Sequence, residues 1–582
     1  MQPRINHQPT DRDKTPWKRV ALFALIAIWL FSGLIGRDPW KPDEPMFLGV
    51  LHSMFSLGGN AWWSPENAGS LFEGETPFIH WFNALIAYLP SLFLPLHEAA
   101  RFSSAFWASL AITFTALACK RWSGGHISYL AAIMTIGCAG LYDRAHVYIP
   151  EVAVFAAVAM ALYGAAELAQ RPRRATLALT AAIIIAFMAR SALGFTIIAL
   201  PITLLAFAPV YSMHRIALFR AVFFGAVVCG LLAFAFAKKA PLAFTAWIES
   251  GAGFSFEDRE QIGPQAYLPT LLWFAWPVWP IAIWLVSLRA RGFAGGWQRG
   301  EVIAPAVFLI TALFVASILA EPRTTHALFF LPSFVVLAAF GVDTLKRAWY
   351  AMIDWFGILV LGCATVGVVI VSFTLYFKWP PAIAQWAERF VPQFRGELPW
   401  FGYGVALLAF FIWIALIQPA HQHSRRALIN WAGCVTFLWV VAQALLAVPA
   451  DYVVSYRSVF TNISKAWPAA GCVNSIELSG SQAALLRYFA GRSTVPVDEL
   501  SEVTCDHLLI QHWQCDEPKP LQSEYSLVAQ SHRPGDSSES HALYARRTAS
   551  ATNAAVAATP ILTDNCDARQ NPLDTTKKKS TS

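Results

Sequence analysis

Charge is what this sequence has least of. Only 14% of its 582 residues are Asp, Glu, Lys or Arg, where a soluble chain of this length carries roughly a quarter. The shortfall excludes an ordinary soluble enzyme, and 56% hydrophobic residues with 24 Trp and 42 Phe point to a polytopic membrane protein. The first apolar run lacks a small-residue cleavage site, so it reads as a signal anchor and not as a removable signal peptide. No cysteine spacing resembles a zinc site, which argues against a metal or redox role for the nine cysteines. No internal repeat is visible, and transporters often have two related halves. The net charge of +7 comes largely from clusters beside apolar runs, as the positive-inside rule requires, so no nucleic-acid partner is implied.

What is present is a ladder of apolar runs. Fourteen lie near 20–36, 79–96, 102–119, 126–142, 152–168, 174–190, 193–210, 216–236, 268–288, 302–320, 326–345, 354–377, 400–418 and 429–449. Placing Lys120–Arg121, Arg171–Arg174, Arg289–Arg299, Lys346–Arg347 and Arg425–Arg426 in the cytoplasm makes every run from 126 onward alternate. The conflict between 79 and 120 is removed if one run there is re-entrant or interfacial. Thirteen crossings follow, with residues 1–19 cytoplasmic, a membrane domain over 20–449 and the C-terminal region outside. Within the first outer loop, 37–78, Phe47, Val50, Leu51 and Met54 have helical spacing and suit a face lying in the membrane interface.

From Asp451 the composition changes. "CVNSIELSGSQAALLRYFAGR" reads as strand, turn and helix, "CDHLLIQ" and "HALYARR" as two more strands, giving a small outer α/β domain over 450–548. Cys472 and Cys505 stand at strand starts and are disulfide candidates. The tail 549–582, rich in Ala, Thr and Asn and ending in lysines, reads as disordered.

Charges in such a chain mark function, because Asp, Glu, Lys and Arg are costly near hydrocarbon unless they line a wet cavity or bind something. Five groups stand out on the outer side: Asp43 and Glu44 in the first loop with Glu73, Glu75 and His80 behind them; Asp143, Arg144, His146 and Glu151; Arg190, alone in an apolar stretch; Glu249 with Glu257 to Glu260; and Glu321, Arg323, Thr324, Thr325 and His326. Each loop taken alone also fits simple solvation. Together they describe an outward-facing cavity with carboxylates for acid–base work and cations that suit phosphate.

The opening "GRDPWKPDEPMFLGV" resembles the first motif of the bacterial polyprenyl-phosphate-dependent glycosyltransferases of the GT-C fold, in particular the 4-amino-4-deoxy-L-arabinose lipid A transferases and protein O-mannosyltransferases. The resemblance implies a multi-pass inner-membrane enzyme that moves a sugar from an undecaprenyl-type phosphate donor to lipid A, another glycan or a protein, with the C-terminal domain periplasmic. It casts Asp43, Glu44 and Glu151 as catalytic carboxylates, and Arg190, Arg323, His326, Arg259 and Glu75 as donor-phosphate or substrate contacts. "LFEGETPFIHW" departs from the family pattern by placing Glu75 where a lysine is usual. A divalent metal stays open, with Glu73 its candidate ligand, although the histidine that accompanies it has no counterpart between 238 and 267. The competing class is a transporter or flippase of a lipid-linked or envelope substrate.

Overall fold

The structure is a computed structural model and describes residues 16–125, 127–255, 263–416, 424–512, 524–536 and 539–547. Arg259 and the tail 549–582 therefore lie outside the described residues. Among the described residues seven helices are long and apolar enough to cross a membrane, or eight if the bent pair Pro264–Phe274 and Val278–Ala290 is one span. Two of the other expected crossings are short helices. Phe78–Tyr88 has 11 residues, a rise of about 16 Å against a hydrocarbon core of about 30 Å. It leads into Leu96–Ser123, a single 28-residue helix, so Phe78–Tyr88 is the short member of the conflicting pair. Ser128–Ile136, with nine residues, is also too short to cross.

One long helix is a hairpin in disguise. Pro172–Leu205 breaks at Arg190 and Ser191, where Ser191 adopts φ 47°. In a continuous helix Ala186 and Gly194 would be about 12 Å apart along the axis, yet a Cβ on Gly194 would lie 1.9 Å from the Ala186 carbonyl oxygen. The chain reverses there, and glycine is required because nothing else fits. The two sequence runs 174–190 and 193–210 are the two legs, with Arg190 at the tip.

Between the helices Pro16–Phe31 and Phe78–Tyr88 the loop forms the helix Asp43–Leu57 and a small hairpin, β1 (Glu66–Asn67) against β2 (Ser70–Leu71). Phe47, Val50, Leu51 and Met54 do share one helix face, but it is fully buried and does not lie in a membrane interface. Part of this loop helix packs on the helix Gly480–Ala490. The approach is close at Gly49, where a Cβ would come within 2.9 Å of the Ala484 side chain.

The C-terminal unit is a five-stranded mixed sheet. Strands β3 (Val473–Ile476), β4 (Val495–Pro496), β5 (His507–His512), β6 (Tyr525–His532) and β7 (Ser540–Arg546) stand in the order β4-β3-β5-β7-β6. Neighbours β4, β3 and β5 run parallel, and β7 is antiparallel to both β5 and β6. The helix after β3 starts with a capping box, Ser479 and Gln482 bonding each other's backbone. Cys472 and Cys505 are disulfide-bonded, tying the starts of β3 and β5. The sequence reading found β3, β5 and β7 and missed β4 and β6, which are two residues long and loosely patterned respectively.

Candidate active site

The segment 37–44 supplies five charged side chains, and four of them are locked by hydrogen bonds. Glu44 is buried in the fork of Arg101, with Oε1 2.6 Å from Nε and Oε2 3.0 Å from Nη2. Arg101 also donates to the carbonyls of Arg37 and Asp38, and Arg37 stands 3.7 Å from Glu44. Burial pushes the Glu44 carboxyl up, but the two guanidinium groups outweigh it and hold it below the usual carboxylate range. Asp38 accepts from Ser455 at 2.7 Å and from Arg457, and Lys41 donates to Glu539 at 2.9 Å. Asp43 alone makes no hydrogen bond. Its nearest ionic neighbour is Arg144, at 3.8 Å.

Asp43 instead faces a second cluster. Arg190, at the tip of the helix hairpin, contacts Glu75 directly and lies 3.6 Å from Glu151. The hairpin tip is fixed by Ser191, whose Oγ accepts from the Thr76 amide and from the Trp247 indole, both at 3.2 Å. Thr325 donates to Glu151 Oε1 at 3.2 Å. Arg323 is half exposed, paired with Glu321 at 3.2 Å, and its charge acts on both Asp43 and Glu75. Tyr267 OH lies within bonding distance of the Ala316 carbonyl (3.3 Å) and of His326 Nδ1 (3.0 Å). A carbonyl only accepts, so the tyrosine donates to it and His326 donates from Nδ1, leaving a lone pair on Nε2.

Three buried polar atoms in this cluster lack a partner: Glu75 Oε2, Glu151 Oε2 and His326 Nε2. Such atoms are costly unless something fills them. Burial is also the main reason the Asp43 carboxyl is raised, reinforced by Glu151 and opposed by Arg323, Arg144 and Arg190. The Glu75 carboxyl is raised to about 7 by burial, against the pull of Arg190.

The sequence-named residues thus divide. Asp43, Glu75, Glu151, Arg190, Arg323 and His326 come together, whereas Glu44 belongs to a separate buried lock. Glu73 is exposed, and among the described residues no group of three or more His, Cys, Asp or Glu side chains is arranged to hold a metal ion. Sequence reading missed Arg101, Arg37 and Tyr267. Arg101 carried a weaker signal, a cation in the short gap between the runs 79–96 and 102–119. Tyr267 carried none.

No family model and no curated protein matches the sequence. Among solved structures, ArnT from Cupriavidus metallidurans bound to undecaprenyl phosphate superposes with a TM-score of 0.65 at 15% identity, over 92% of this chain and 99% of that one. The apo form of the same protein gives 0.67 at 15% identity, over 90% and 97%. The chain has the GT-C fold. At this identity the likeness concerns architecture, and it covers the sheet unit as well as the helices, since nearly the whole of both chains aligns.

Proposed function

We propose that the chain is an integral membrane glycosyltransferase that moves a sugar from a polyprenyl phosphate donor to an envelope acceptor, lipid A, another glycan or a protein. The carrying observation is the contrast at residues 43 and 44: one carboxylate is locked, and its neighbour is left unbonded beside a buried carboxylate–arginine cluster. A likeness to a fold solved with undecaprenyl phosphate supports the donor class. The inner membrane is the expected location, with the sheet unit on its periplasmic side.

In this reading the acceptor oxygen bonds to the anomeric carbon as the bond from that carbon to the phosphate oxygen breaks. The electron pair leaves with the polyprenyl phosphate, whose growing charge is met by Arg190 and Arg323. A cation that binds this charge more strongly in the transition state than in the ground state lowers the barrier. Asp43 takes the proton when the acceptor is a hydroxyl, a role its raised pKa favours. When the acceptor is an ionised phosphate, Asp43 orients it. Glu75, Glu151 and His326 offer open acceptor atoms to the hydroxyl donors of the sugar.

The test is transfer of label from radioactive polyprenyl phosphate sugars to envelope fractions, in membranes carrying wild type or Asp43→Asn. Label should move with the wild type alone, and the labelled fraction identifies the acceptor class. Equal transfer by both forms removes Asp43 from the chemistry. No transfer with any sugar favours a transporter.

A further inference from the structure

Among the polar contacts between the sheet unit and the loop that bears Asp43, the most densely bonded centres on one buried carboxylate. Glu539, 3% exposed, accepts hydrogen bonds from Lys41 at 2.9 Å, Gln511 at 2.9 Å and Arg533 at 2.9 Å, and from Tyr456 and Gln482. The Tyr456 ring lies between two cations, Lys41 Nζ at 4.7 Å and Arg533 at 4.8 Å from its centroid. Four of these five donors belong to the sheet unit or to the segment leading into it. Lys41 alone comes from the first loop, and it precedes Asp43 by two residues.

We propose that Lys41 is a positioning residue for Asp43, and that the sheet unit, by gripping Lys41 through Glu539, sets the geometry of the reaction site. The proposal rests on the reading of Asp43 given above and extends it to the C-terminal unit. A side chain that makes no hydrogen bond of its own takes its position from its backbone, and the backbone on either side of Asp43 is pinned from two bodies, the sheet unit also holding the Pro42 carbonyl through Ser481. Glu44 is held by Arg101 from the membrane helices, and Lys41 is held by Glu539 from the sheet. Asp38 repeats the arrangement a few residues earlier through Arg457 and Ser455. Releasing one pin lets Asp43 shift without disturbing Arg190, Glu75 or Glu151, whose mutual contacts do not involve the sheet.

The substitution to make is Lys41→Met. It leaves Glu539 with its four other donors, so no buried carboxylate is stranded and the protein should fold. A displacement of the order of 1 Å at a reacting group costs up to about a hundredfold in rate. Lys41→Met should therefore lower kcat by about ten- to a hundredfold, while KM for the donor changes by less than about twofold. Lys41→Arg, which can still donate to Glu539, should restore most of the rate. Arg487→Ala is the control, since its pairing with Glu66 at 3.6 Å bridges the same interface away from Asp43; it should leave kcat unchanged. Glu539→Gln is the second route to the same defect, approached from the sheet side.

An unchanged kcat in Lys41→Met overturns the proposal, as does an equal fall in Arg487→Ala, which would make docking in general the cause. Loss of folded protein in both Lys41→Met and Glu539→Gln also overturns it, by making the cluster a stability element. Wild-type rates in Asp43→Asn sink the reading of Asp43 itself, and the proposal falls with it by that separate route.

Discussion

Two carboxylate–arginine sites, one around Glu44 and one around Arg190 beside Asp43, meet at adjacent residues of the loop helix and behave in opposite ways. Around Glu44 every polar atom is matched: two guanidinium groups, backbone carbonyls and the Tyr148 amide close the shell. Around Arg190 the charges are equally buried, yet Glu75 Oε2, Glu151 Oε2 and His326 Nε2 are left without partners, and Asp43 has only a distant arginine. A closed shell rigidifies. An open one can exchange a partner for a ligand, and the difference is what separates a structural ion pair from a candidate active site made of the same residue types.

The comparison can be broken from the structural side first. Arg101→Leu strands the buried Glu44 carboxylate, and breaking such a pair costs about 3–5 kcal/mol. Thermal unfolding in detergent should show a large loss of stability, with little folded protein recovered. Arg190→Gln should do the reverse, leaving folded yield near wild type while transfer slows about a hundredfold, or about 3 kcal/mol; the assay is initial rate at saturating donor.

A finer test uses pH. The Glu75 carboxyl titrates near 7, raised chiefly by burial. Its folded value exceeds its unfolded value, so the folded state binds the extra proton between about 4.5 and 7, and stability should rise as pH falls through that window. Above it Glu75 is ionised and partners Arg190; below it that anion is lost. The rate profile of the wild type should therefore bend near pH 7, and Glu75→Gln should lose the bend. The smallest effect is expected at an exposed pair of the same chemistry, Arg425 with Asp343, where Nε lies 2.8 Å from Oδ1. Arg425→Gln should change stability by no more than about 1 kcal/mol.

Much of this was legible in the sequence because membranes make charge expensive. The apolar runs, the acidic pair and the solitary Arg190 all follow from that one rule, and Glu75, Glu151, Arg190, Arg323 and His326 are brought together as well as named. What escaped depends on tertiary partners. Nothing in "KPDEP" says that Glu44 has an arginine 57 residues on while Asp43 does not. The apolar face of the loop helix looks the same in sequence whether lipid or protein covers it, and here it joins the main core, Phe47 packing on Phe72 and His80. Apolar length cannot distinguish a span from the short Phe78–Tyr88, whereas the gap between the runs 174–190 and 193–210 marks the place where 172–205 folds back on itself.

The bond between Lys41 and Glu539 joins residues 498 positions apart. A ribosome adding about 5–20 residues per second needs about 25–100 s to make that much chain. Throughout that interval the loop bearing Asp43 exists without the carboxylate that is to hold Lys41. The nascent protein is thus unable to adopt its working geometry until almost the last described residue has been synthesised and paired, and a truncated product would carry every helix of the bundle yet none of the grip.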